Sequence, residues 1–228
     1  MTLVVYLRCK DGSILISDRQ ASEWSGESQE DTKTFISRTH DFVIGGAGTG
    51  FNVIQIFGRL TQDDSVDCSN IVSRLNELIE SYRESFSNTK ANISALLITR
   101  EKTRFVPYEI VIHGDQFYVN PITVGYRCCG LKAARIIANF FLKRKKLDEF
   151  PWTKAVHYVV ATMKEVGKEV DGVGRLEEFG FDIIVMLDDG SVRVLKNYKD
   201  DNSRFAFDLQ ILEDISSKFN EVAVGPGG

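Results

Sequence analysis

The hydrophobic period of this chain switches between two and about 3.6 several times, and that switching restricts the fold more than any single motif. Two strand-like runs come first, "LVVYLRC" over Leu3–Cys9 and "SILISD" over Ser13–Asp18, with the turn signal "KDG" between them. The polar stretch from Arg19 to Thr32 reads as a loop. "KTFIS" and "FVIGGAG" flank "RTHD" as a second hairpin. The period then lengthens. "GFNVIQIFGRL" predicts a helix with Phe51, Ile54, Phe57 and Leu60 on its apolar face. A second helix over Ser69–Phe86 carries Ile71, Leu75, Leu78, Ile79 and Tyr82, with Ser69 or Asn70 as its cap. Strands return in "ISALLIT", "YEIVIHG", "QFYVN" and "ITVG", and helices follow near Leu131–Lys143 and Trp152–Gly167. A glycine-spotted loop, "EVDGVGRLEEFG", precedes the strands "FDIIVML" and "SVRVLK", and a short helix, "DLQILEDISSKF", lies in the tail.

Runs of strands followed by pairs of helices predict antiparallel sheets with helices outside, rather than a βαβ fold. Two sheets between two helical layers bury every amphipathic helix face once. The expectation is an α+β chain folded as a four-layer αββα sandwich, one domain over residues 1–228, with residues from about 196 onward as a C-terminal extension.

At 228 residues and 43% hydrophobic content, the chain has material for an ordinary core. A net charge of −4 gives no support for nucleic acid or an anionic membrane as the main partner. The basic run Lys143, Arg144, Lys145, Lys146 reads as a solvated helix end. Cys9, Cys68, Cys128 and Cys129 form no CxxC pair, so neither a zinc site nor any other metal is expected. Their pattern fits reduced thiols, small and buried, in a cytoplasmic protein. The start "MTLVVYLRCK" lacks the layout of a signal peptide, and no apolar run is long enough to span a membrane. His40, His113 and His157 are scattered and read as surface or packing residues. Gly45, Gly46, Gly48 and Gly50 run from a strand into a helix, as phosphate loops do, but lack the GK[ST] ending and the GxGxxG spacing. No cofactor is expected.

Four segments carry a resemblance to a known family. They are "TLVVYLRCKDGSILISDRQAS", "KTFIS…FVIGGAGTG", "VGYRCCGLKAARIIANFFL" and "DGVGRLEEFGFDIIVMLDDG". In this order and spacing the chain resembles proteasome β-subunits and the HslV-type peptidases, which are N-terminal-nucleophile hydrolases. The resemblance implies a threonine-type endopeptidase or amidase with Thr2 as nucleophile. A threonine hydroxyl is weak at neutral pH and needs a base. A free α-amine, with a reference pKa of about 7.7–8.0, can serve if threonine is the first residue. Removal of Met1 in front of a small residue would expose Thr2 in this way.

By the same resemblance, Lys33 lies beside the hydroxyl, Asp18 holds Lys33 charged and oriented, and the Gly46 N–H is the oxyanion donor. Asp171 matches the acidic residue of a second supporting loop. The Thr2–Asp18 spacing equals the family's, and the path to Lys33 is one residue shorter. Two family serines are missing: the turn near the amine carries Tyr126, Arg127, Cys128 and Cys129, and Gly174 stands where relatives have the second serine. These departures leave room for a transpeptidase or ligase that passes the acyl group to an amine, and for a non-catalytic assembly subunit. The implied partners are a peptide or unfolded protein as substrate, further copies of the chain in a ring or stack, and an ATP-dependent unfoldase.

Overall fold

The computed structural model describes residues 2–22, 28–48, 50–82, 92–102, 104–113, 116–143 and 145–198. The tail helix over 208–219 and nearly all of the extension from 196 onward fall outside the described residues.

Two five-stranded antiparallel sheets dominate the chain. In the first, β1 (Leu3–Cys9) lies between β10 (Tyr126–Gly130) and β2 (Gly12–Asp18), and the sheet continues through β11 (Phe181–Leu187) to β12 (Val192–Tyr198). The second runs in chain order: β5 (Thr34–Ile36), β6 (Phe42–Ala47), β7 (Asn92–Glu101), β8 (Arg104–His113) and β9 (Gln116–Pro121). Helices α1 (Gly50–Gln62) and α2 (Ile71–Ser81) follow β6; α3 (Lys132–Leu142) and α4 (Trp152–Glu169) follow β10. A single turn of helix, α5 (Leu176–Phe179), leads into β11.

The strands alternate between three separate apolar layers. Val4, Tyr6, Leu15, Ile184 and Met186 of the first sheet meet Val43, Leu96 and Ile98 of the second. Leu3, Val5, Leu7, Ile14 and Ile16 face the other way, onto Ala134 and Ala138 of α3 and Ala155 and Val159 of α4. Phe42, Ile44, Leu97 and Ile110 pack on Val53, Phe57, Leu75 and Ile79 of the other helix pair. Both faces of β1 and β2 are therefore covered, which is why both strands are buried almost throughout and carry the apolar runs Leu3–Leu7 and Ile14–Ile16 rather than an alternating pattern. The four-layer αββα sandwich is the observed architecture.

Local readings differ in several places. The expected loop at 19–32 contains a small hairpin, β3 (Gln20–Ser22) with β4 (Ser28–Glu30). "ITVG" is not a strand, and the "YRCCG" expected as a turn is strand β10, paired with β1 from Leu3↔Gly130 to Leu7↔Tyr126. Buried thiols drive this: Cys128 packs toward the helices and Cys129 toward the second sheet. On α1 the buried face is Val53, Ile56, Phe57 and Leu60, while Ile54 is exposed. Neither Ser69 nor Asn70 caps α2 through its side chain; Asp67 Oδ1 accepts their N–H groups at 2.8 and 3.2 Å.

Leu15 is fully buried between the sheets. Leu15→Ala is expected to cost about 2–5 kcal/mol in urea unfolding, because a rigid two-sheet interface closes poorly over a cavity. Val194→Ala, at an exposed position of the edge strand β12, is expected to stay within about 0.5 kcal/mol.

Candidate active site

The end of β2 and the approach to β5 bring two charges into the protein interior. Asp18 is fully buried and Lys33 is 6% exposed. The Lys33 ammonium donates to Asp18 Oδ2 at 3.0 Å and to the Gln20 carbonyl. The same carboxylate accepts three backbone N–H groups: Leu3 at 2.7 Å on Oδ1, and Gln20 at 3.2 Å and Gly174 at 3.0 Å on Oδ2. One carboxylate thus joins Lys33, the residue that follows Thr2, and the loop after α4. Burial pushes the Lys33 ammonium below the usual lysine range, and the Asp18 carboxylate opposes that push.

Thr2 itself is buried, 6% exposed. Its carbonyl accepts the Leu131 N–H at 3.0 Å. Gly130 presses against it from β10 with φ +116°, and a Cβ at that position would lie 2.0 Å from the Thr2 carbonyl oxygen. Only glycine fits there. The first residue after Met1 is therefore fixed on both sides, by Asp18 through Leu3 and by the Gly130–Leu131 junction.

The remaining expected residues are placed differently. The Gly46 N–H donates to the Lys33 carbonyl at 2.9 Å as a sheet bond, and the side of Gly46 where a Cβ would stand faces the Phe57 ring of α1. Its N–H is thus already taken, which argues against the expected oxyanion role. Ala47 and Gly48, one and two residues on, line a cleft of about 810 Å³ together with Thr2. Gly48 has φ +151°, and a Cβ would lie 2.5 Å from the Asn92 carbonyl oxygen, so this position too requires glycine. Asp171 is exposed on the turn after α4 and makes no hydrogen bond to Thr2, Asp18 or Lys33 among the described residues. Its loop reaches the site through the Gly174 N–H instead.

A second buried carboxylate lies next door. Asp182 on β11 accepts Arg19 Nη1 at 2.9 Å, Lys196 Nζ at 3.2 Å, Thr34 Oγ1 at 3.3 Å and the Asn197 N–H at 3.0 Å. Arg19 and Thr34 directly follow Asp18 and Lys33 in sequence, so neighbouring pairs serve the two networks. Asp182 and Lys196 carried no signal in the sequence, because a lone acid on an apolar strand and a lysine near a chain end have no recognisable spacing. The thiols of β10 are inert by comparison: burial raises Cys128 to about 12 and raises Cys129 as well, so neither is a thiolate at neutral pH. Cys9 and these two are buried, and Cys68 is exposed.

With this geometry in place, comparison with known proteins gives a consistent result for the fold. No family model matches the sequence, and no curated protein matches it. Solved structures do. An Anbu (ancestral β-subunit) from Yersinia bercovieri aligns with a TM-score of 0.75 and 16% identity over 99% of each chain. Anbu from Hyphomicrobium sp. strain MC1 aligns at 0.71 and 14%, over 99% of this chain and 98% of that one. A structure described as a helical assembly of the Anbu complex from Pseudomonas aeruginosa aligns at 0.73 and 14%, with the same coverage. The chain has the Anbu fold. Coverage of nearly the whole Anbu chain leaves no large domain of those relatives unmatched.

Removing one member of the buried pair strands the other. Asp18→Asn is expected to lower stability by about 3–5 kcal/mol in urea unfolding, and Lys33→Met on top of it to restore a large part of that loss. Equal losses that simply add would mean the two side chains act independently.

Proposed function

We propose that this chain is an N-terminal-threonine peptidase or amidase of proteasome β-subunit type, acting on peptides or unfolded protein segments. The observation that carries the reading is the single buried carboxylate that joins Lys33 to the backbone immediately after Thr2. A buried ion pair is a weak source of stability, because desolvation offsets its attraction, whereas perturbed buried charges cluster at functional sites.

Removal of Met1 frees the Thr2 amine. The amine takes the Thr2 hydroxyl proton as Oγ1 attacks the substrate carbonyl, and the Lys33 ammonium favours the developing alkoxide. The C–N bond then breaks, the amine passes its proton to the leaving nitrogen, and an ester remains on Thr2. Water hydrolyses the ester and regenerates the hydroxyl. The Gly46 N–H is engaged by the Lys33 carbonyl, whereas Gly48, two residues on, lines the cleft with Thr2. Gly48 is thus assigned the oxyanion donor in place of Gly46, and Asp171 has no step of its own.

Two measurements test this. Thr2→Ala is expected to abolish cleavage of a fluorogenic peptide amide, and unchanged turnover would rule the mechanism out. The pH profile of kcat/KM is expected to be bell-shaped. Activity rises as the amine, whose reference pKa is about 7.7–8.0, loses its proton. Activity falls as Lys33 loses its proton, below the ordinary value of about 10.4 because the ammonium is buried. A profile flat across this range contradicts the assignment.

We also propose that copies of the chain assemble. Ile136 and Phe140, one helical turn apart on α3, are 60% and 53% exposed. Light scattering is expected to give a mass well above the 25.7 kDa protomer, reduced by Ile136→Glu. A monomer at micromolar concentration contradicts this.

A further inference from the structure

The cleft beside Thr2 holds a cation with nothing to neutralise it. Arg135 lines the cleft with Thr2, Gly130 and Leu131, and its guanidinium makes no hydrogen bond or ion pair among the described residues. Its Nε is fully buried and unsatisfied. Leaving a buried donor without a partner is costly, and more so when the donor is charged. The one carboxylate on the cleft wall is already engaged: Glu109 accepts Arg127 Nε at 3.0 Å in a two-pronged pair. The backbone adds to the imbalance. Helix α3 begins at Lys132, directly after the Gly130–Leu131 junction that holds Thr2, with no side-chain cap and no acidic residue in its first turn. A helix N-terminus already carries partial positive charge, so Arg135 at the end of that turn is placed against it. Both unfavourable features reverse when an anion enters the cleft.

We propose that Arg135 is a specificity residue that binds a carboxylate of the substrate, so that the cleft selects peptides presenting an acidic group close to the bond at Thr2. A planar guanidinium holds a carboxylate through two parallel N–H bonds, and this geometry favours a carboxylate over a neutral amide. The carboxylate belongs either to an acidic side chain or to a peptide C-terminus. The inference rests on the reading of Thr2 as nucleophile, since that reading makes the cleft a substrate cleft.

The test uses full-length Thr2→Ala protein and three fluorescent peptides of equal length: one with a free C-terminal carboxylate, one amidated with an internal glutamate, one amidated and neutral. Anisotropy titration is expected to show about tenfold tighter binding of at least one acidic peptide over the neutral one, falling to within about twofold in Arg135→Gln. Arg135→Lys, which keeps the charge, is expected to retain part of the preference and so separates lost recognition from a lost fold. The free-acid and glutamate peptides distinguish the two sources of carboxylate. Equal affinity for all three peptides, strong or weak, overturns the proposal, as does an unchanged preference in Arg135→Gln. Cleavage by the Thr2 protein is scored separately. Acid-selective binding without cleavage removes the Thr2 reading and keeps Arg135, whereas cleavage indifferent to acidic groups removes Arg135 and keeps Thr2.

Discussion

The Asp18 carboxylate, fully buried and receiving one ammonium and three backbone N–H groups, is the interaction on which the rest of this structure turns. Each donor comes from a different part of the chain: the first strand, the approach to the second sheet, the hairpin that leaves β2, and the loop after α4. A carboxylate with this many donors has one orientation, and it transmits that orientation to everything it touches. Leu3 is held, so Thr2 is held. Lys33 is held with its ammonium inside the protein rather than in solvent. Without Asp18 the same fold would bury a lone lysine, a far more costly arrangement than the pair.

Packing explains why the charges meet there. The two sheets share an apolar layer, and their outer faces pack against helices. Asp18 closes β2 and Lys33 stands just before β5, so the two charges meet at strand ends. The Asp182 network repeats the arrangement one residue on, with Arg19, Thr34 and Lys196 binding β11 and β12 to β5. Asp18 reaches the cleft through Leu3, next to Thr2, and Arg135, with its unsatisfied Nε, lies on the cleft wall.

Much of this was legible from residue types, and the failures have physical causes. Apolar runs and hydrophobic periodicity located the large strands and helices because burial on a sheet or helix face selects side chains strongly. The αββα order followed from that. The hairpin of β3 and β4 escaped because its residues are mostly polar and show no hydrophobic alternation. "YRCCG" was read as a turn from the resemblance, whereas it is a strand whose last residue, Gly130, marks a close approach to Thr2. The pairing of Asp18 with Lys33 was accessible through the family resemblance, which matched both positions, and the two side chains do meet. The backbone donors of Leu3 and Gly174, and the engagement of the Gly46 N–H by the Lys33 carbonyl, were not accessible, because a main-chain group leaves no mark on sequence. Its direction is set by strand pairing, which only the fold reveals.

The central claim is that the hydroxyl of Thr2, steadied through Asp18 and Lys33, is the reactive group of this protein. Peptide mapping by mass spectrometry after incubation with a peptidyl β-lactone tests it most directly, since ring opening by a hydroxyl leaves the whole reagent attached as an ester. The account predicts a single adduct on Thr2 of the chain lacking Met1, absent when Lys33 is replaced by methionine. An unmodified Thr2, or Met1 still in place on protein that is fully active, contradicts it.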